Sequence, residues 1–225
     1  MDAKLELLSK EAHSDMRMRP DATGHPPFVM ITINEFPAAA AVCPIFLSKD
    51  PATGEFYAGA LFGFAAGEWL AQGADNEKPL FQPLELRRQG FFISDENIAI
   101  DVSHPRFGAG ATIALFEPDG EPTDAMRSIQ QALGQLKAGV DATQAFIREL
   151  LDLKLIEPID IDLRFDDGEQ LRLDGLYTVS RDGLSELSDA AVLTLFRRGH
   201  LQAAYCMSFS LNQVAVLAQR RNDRL

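Results

Sequence analysis

Apolar and polar residues alternate most regularly in IDIDLRFDDGEQLRLDG, residues 159–175. Ile159, Ile161, Leu163 and Phe165 alternate with Asp160, Asp162 and Arg164, as a strand buried on one face requires. Beyond Asp166-Asp167-Gly168 the alternation resumes with Leu171 and Leu173. A short loop that sets Leu163 opposite Leu171, Ile161 opposite Leu173 and Asp162 opposite Arg172 matches both faces. It also puts Gly168 where a positive φ is needed. The pattern predicts a hairpin with one charged, solvent-facing side.

A second stretch, FYAGALFGFAAGEWLA (56–71), spaces Gly59, Gly63 and Gly67 one helical turn apart. Small residues at that spacing are how helices pack inside membranes. A spanning helix needs about 20 apolar residues, and Glu68 interrupts this run far too early. Three glycines in three turns would also cost about 1 kcal/mol each relative to alanine. Read with period two, the stretch is a two-sided apolar strand, turned at Ala65-Ala66-Gly67 into a glycine-rich interior hairpin over 57–70. No membrane insertion is expected.

Shorter apolar runs predict strands at FVMITINEF (28–36), CPIFL (43–47), FFIS, NIAIDV and TIALF (112–116). LELRRQG (84–90) reads as a short helix or turn, and 72–80 as a polar loop. Met126, Ile129, Leu133 and Leu136 share a helical face that Gly139 ends. Thr143 then caps a second helix whose stripe is Phe146, Ile147, Leu150 and Leu151. Further helices are expected over Asp189–Arg197 and about Leu201–Arg220. Residues 1–27 read as a loosely ordered arm and 28–225 as one domain. The class is α+β: a largely antiparallel sheet with hairpins, a central helical pair and C-terminal helices.

Composition narrows function mainly by exclusion. The net charge of −12 over 225 residues argues against binding nucleic acid or anionic lipid, both of which are held by Lys and Arg. Cys43 and Cys206 are too few for a disulfide framework or a zinc knuckle, and are expected as buried thiols. The N-terminal residues carry both charge signs and no apolar core, unlike a secretory signal, so a cytoplasmic location is expected. A homodimer is the default assembly.

Among the histidines, His13 and His25 fall in the arm. Asp101 and His104, in DVSHPRFGAG, are the best candidate for a carboxylate-oriented imidazole, and His200 is the one residue left to complete a two-histidine iron site. FGAGAT (107–112) precedes a strand, not a helix, so it is no phosphate cradle. The acids of the 159–175 hairpin lack calcium-loop spacing. Glu68 and Trp69 interrupt an apolar run, and adjacent Arg87 and Arg88 must point different ways, so at least one needs an acid or a ligand anion. Glu68, Trp69, Arg87 and Arg88 are therefore the candidate site for a small anionic ligand, Glu68 being expected beside the two arginines. No cofactor is expected.

Several short motifs, in order, give the chain a family resemblance. They include Asn34-Glu35-Phe36, Cys43-Pro44-Ile45-Phe46, Leu61-Phe62-Gly63, Gly67-Glu68, Leu86-Arg87-Arg88 with Phe91-Phe92, and Asp119-Gly120-Glu121. Thr143 with Phe146, Asp167-Gly168, Gly175-Leu176 and Gly199-His200-Leu201 through Tyr205 to Ser210 follow. The chain resembles the SapC-like family of proteobacterial proteins from about Ile31 to the C-terminus. It departs from the family pattern at Trp69, where Asn is usual, and at Gln89-Gly90, where Tyr-Pro is usual. The resemblance implies a surface-layer-locus or TonB-receptor context and partners such as flavin-dependent tryptophan-halogenase-like proteins, and it supplies no catalytic residues. The expectation is a non-catalytic cytoplasmic accessory protein that binds a protein partner. The alternative is an iron-dependent modifying enzyme using Asp101 and His104.

Overall fold

The computed structural model describes residues 4–20, 24, 26–71 and 81–225. His25 and the polar loop at 72–80 lie outside the described residues. In chain order the elements begin with β1 (Leu5–Leu7), α1 (Lys10–His13), β2 (Arg17–Met18), β3 (Phe28–Met30), α2 (Phe36–Ala40), β4 (Ile45–Lys49) and β5 (Phe56–Leu61). Next come α3 (Leu84–Arg87), β6 (Phe91–Ser94), β7 (Asn97–Asp101), β8 (Ile113–Ala114) and α4 (Asp124–Asp152). Last are β9 (Ile156–Arg164), β10 (Gln170–Val179), α5 (Arg181–Ser185), α6 (Asp189–Arg197), α7 (His200–Ser210) and α8 (Gln213–Asn222). Every strand pairing is antiparallel, so the α+β class read from the sequence holds.

Contacts cluster into two compact units, one of residues 1–25 and 82–138, the other of 26–81 and 139–225. The first unit holds a sheet of order β1-β7-β6 and the β2-β8 pair. Its core is Met18, Phe91, Ile100, Leu115, Met126, Ile129 and Leu133. The helical face at Met126, Ile129, Leu133 and Leu136 is buried as its spacing predicts. Residues 5–18, expected within a loose arm, instead contribute two paired strands and the buried Met18.

The second unit is built on a sheet of order β3-β5-β4-β10-β9. β5 is an inner strand between β3 and β4, which is why it is apolar on both faces: Ala58, Ala60, Leu61 and Phe62 are all buried. Gly59 and Gly63 serve close approach, because a Cβ would lie 2.3 Å from the Phe28 ring at the first and 2.5 Å from Glu68 O at the second, whereas Gly67 has open space and a turn φ of 83°. After β5 the chain returns without forming a second strand, held by Leu70 N–H donating to Phe62 O at 2.6 Å. The β9–β10 hairpin pairs Leu163 with Leu171, Ile161 with Leu173 and Asp162 with Arg172, the register the alternation predicts. Gly168 has φ 87°. Among the described residues no helix is long and apolar enough to cross a membrane.

Three further elements differ from the sequence reading. The strand expected over 28–36 stops at Met30, because the Glu35 carboxylate accepts from Thr32 N–H at 2.8 Å and Thr32 Oγ1 at 3.0 Å. That box turns Ile33–Glu35 into a 3₁₀ segment leading directly into α2. The central helical pair is one continuous helix, α4. Gly139 does not end it: a Cβ there would come within 2.7 Å of the Thr32 side chain. Thr143 does not cap a new helix either, since its hydroxyl donates to Gly139 O at 2.7 Å and accepts from Ile33 N–H at 2.9 Å. Leu151 is exposed, while Phe146, Ile147 and Leu150 are buried. The long C-terminal helix is divided into α7 and α8 at Leu211-Asn212, where buried Ser210 accepts from Ile45 N–H at 2.9 Å.

Two substitutions in α4 should act in opposite directions. Gly134→Ala has nothing within 4 Å to meet and should stabilise by up to about 1 kcal/mol through helix propensity. Gly139→Ala gains the same propensity but overpacks against Thr32, and should cost about 1–3 kcal/mol net. Urea unfolding of both variants checks the pair, and equal shifts would contradict the close approach.

Candidate functional site

The residues singled out in the sequence each have partners within their own unit. In the first unit Arg88 pairs with Glu85, also donating to Phe91 O at 3.2 Å, and lies over the Phe92 ring at 5.1 Å. Arg87 turns the other way and donates to Ser128 Oγ at 2.9 Å. In the second unit Glu68 accepts from Phe64 N–H at 2.6 Å and Ala65 N–H at 3.2 Å, closing the Gly67 turn, and reaches Arg221 at 3.7 Å. Trp69 stacks on Phe62 with centroids 4.1 Å apart, and its carbonyl accepts from Arg224 at 3.0 Å. Glu68 belongs to the second unit and Arg87 and Arg88 to the first; within its own unit Arg88 takes an acid one helical turn away.

Asp101 and His104 are likewise taken up by their turn. Asp101 Oδ1 accepts from the Ser103 hydroxyl at 2.6 Å, Ser103 N–H at 3.0 Å and Lys4 N–H at 3.1 Å. The Ser103 hydroxyl is the main reason its carboxyl titrates below the usual range. His104 Nδ1 accepts from Arg106 N–H at 3.1 Å, capping the short 3₁₀ segment Pro105–Phe107. Burial lowers the pKa of His104, which favours the neutral ring this cap requires. Buried Arg106 donates to Arg87 O at 2.6 Å and Gln89 O at 3.0 Å, satisfying carbonyls at the C-terminal end of α3. Among the described residues no group of three or more His, Cys, Asp or Glu side chains is placed to hold a metal ion.

His200 has a different role from the one its sequence position suggested. It opens α7, directly after Gly199 at φ 75° ends α6 and reverses the chain. Its Nδ1 hydrogen-bonds Glu149 Oε2 on α4, and Arg198 donates to Glu149 Oε1 at 2.8 Å. Glu149 and His200 keep only 11% and 10% of their side chains exposed, against 61% for Arg198. The His200 ring packs edge-on against Phe146 at 5.5 Å, and Phe146 against Phe36 at 5.8 Å. Two grooves meet at this cluster. One, of about 570 Å³, is lined by Arg148, Glu149, Asp152, Thr194 and Arg198 among others. The other, of about 300 Å³, is lined by Asn34, Phe36, Arg198, Gly199, His200 and Gln202 with apolar neighbours. Glu149 therefore lines one groove and His200 the other, with Arg198 shared. Cys206 also lines the smaller groove, but burial raises its pKa, so it is kept as a thiol. Cys43 is buried and its pKa is pushed further up by the same cause.

Glu149 carries no signal in the sequence, because a polar residue between Ile147 and Leu150 is ordinary in an amphipathic helix. The only available signal was a histidine immediately after a glycine suited to a helix junction.

The low Asp101 pKa sets the sign of a pH effect. A depressed folded-state pKa stabilises above the unfolded value of about 3.9, and that stabilisation is lost as pH falls through the folded value. Asp101→Asn should therefore lower the urea midpoint at pH 7, and the gap from wild type should close below about pH 4. An undiminished gap at pH 3 would show that the carboxylate charge is not the cause.

No curated protein matches the chain, and no solved structure matches it. The SapC family model matches residues 8–217 of the 225, a span that includes the Glu149–His200 cluster, both grooves and almost all of the two sheets of more than two strands. The chain belongs to the SapC family.

Proposed function

We propose that the chain is a non-catalytic, cytoplasmic accessory protein that binds a protein partner through the aromatic face of α6 and α7. The supporting observation is the exposure of large apolar side chains there: Phe196 is 69% exposed, Phe209 59%, Leu193 47% and Tyr205 44%. Tyr205 and Phe209, one turn apart, stack with centroids at 5.7 Å. Solvated phenylalanines forgo about 25 cal/mol per Å² of burial, and aromatic residues anchor protein interfaces disproportionately. The context implied by the family resemblance supports a partner from TonB-dependent uptake or a flavin-dependent halogenase-like protein.

Cross-linking in the native cell, followed by purification of the tagged chain, tests this reading. Phe196→Ser with Phe209→Ser should reduce recovery of the receptor or halogenase-like protein at least tenfold, and leave the melting temperature nearly unchanged because both rings are already in water. Light scattering on the same pair reports whether a second copy of the chain occupies the face. Undiminished recovery and an unchanged mass would overturn the proposal.

A further inference from the structure

The smaller groove in the second unit carries a ligand site separate from that aromatic face. α7 begins at Gly199, which has no side chain to cap the first helical turn. Its first N–H groups and the positive end of the helix dipole are therefore free for an anion. The second observation is His200 itself, which is only 8% exposed although it lines the groove. Because Nδ1 is directed at Glu149, the geometry of an imidazole turns Nε2 away from that carboxylate. Nε2 has no hydrogen-bond partner among the described residues, and it is not among their sealed, unsatisfied atoms.

Charge then selects the ligand. The groups facing the ring are Glu149 from α4, Arg198 from the α6–α7 junction and the un-ionised Cys206 thiol; Asn34, from the 3₁₀ segment, is neutral. Arg198 balances Glu149, so a His200 that donates from both nitrogens leaves one positive charge to be matched. Exposed Pro37 and half-buried Ile33 make part of its lining apolar, and about 300 Å³ is the size of a small-molecule pocket. We propose that this groove binds a small free carboxylate with an apolar body. Its oxygens accept from Nε2–H of His200 and the first N–H groups of α7, and its hydrocarbon part lies on Ile33 and Pro37. Glu149 holds the ring in place through Nδ1.

Benzoate is the probe, with chloride as the control anion, in titration calorimetry of the full chain. Expected is a benzoate affinity in the millimolar range or tighter. His200→Phe keeps the packing on Phe146 but has no nitrogen, and should weaken benzoate at least tenfold. Glu149→Gln keeps a hydrogen-bond acceptor but no charge and should also weaken it. A circular-dichroism melt confirms that each variant is folded, and if His200→Phe is not, the Nε2 chemical shift of wild-type His200 during the titration gives the same answer. Absent binding, equal binding by His200→Phe or an unmoved Nε2 resonance would each overturn the proposal, without bearing on the aromatic face.

Discussion

The second unit depends on one close approach, the contact of Thr32 with the backbone of α4 at Gly139. No side chain larger than hydrogen fits, since a Cβ would stand 2.7–2.8 Å from three Thr32 atoms. Thr143, one turn further on, binds Ile33 N–H and returns its own proton to Gly139 O. Glu35 then ties down the Thr32 amide and hydroxyl from the opposite side. A 3₁₀ turn and a helix are thereby locked together with their polar groups satisfied, which buried backbone requires. From this junction a chain of edge-on aromatic contacts, Phe36 to Phe146 to His200, carries the geometry to Glu149. The imidazole is held by packing on one side and a carboxylate on the other before any ligand arrives, and such preorganisation lowers the cost of binding.

The arginines show how the fold settles charge. A buried or half-buried guanidinium must be paired or fully hydrogen-bonded. Arg88 uses Glu85; Arg106 meets the rule only in part, since one nitrogen donates to two backbone carbonyls while its buried Nε has no partner among the described residues. Arg221 uses Glu169 at 2.5 Å and Glu68, and lies 4.0 Å over the Phe165 ring. Arg220 and Arg224 donate to the carbonyls of Leu70 and Trp69. Most of the basic C-terminal end is thus spent on fastening α8 and the return loop after β5, not displayed as a basic surface. Arg198 differs: it is largely solvated and only one of its nitrogens is committed, to Glu149.

Several parts of the fold were legible in the residue order because they depend on local periodicity. The β9–β10 register follows from matching two alternations around one glycine, and it was right residue by residue. The buried face at Met126, Ile129, Leu133 and Leu136 follows from helical spacing, and the rejection of a membrane helix at 56–71 follows from the length of the apolar run. The readings that failed were of residues with two local meanings. Gly139 could end a helix or admit a neighbour, and Thr143 could cap a helix or back-bond within one. Each choice was made by Thr32 and Ile33, more than 100 positions away.

The candidate site was less legible for the same reason. Asp101, His104, Glu68, Arg87 and Arg88 stand out in the sequence as charged or titratable groups next to apolar runs, yet those positions are where strand ends and turns need caps and counter-ions. Composition and order could show that such groups exist, not whether a backbone amide or a neighbouring side chain had already claimed them. His200 and Glu149 are 51 residues apart, and only the packing of α7 on the Phe36–Phe146 pair brings the ring to the carboxylate. Local pattern therefore determined the α+β class, the hairpin and the helical faces, because periodicity is a property of neighbours along the chain. Tertiary structure decided which polar groups remained available for a ligand, because availability depends on every partner that folding brings within reach.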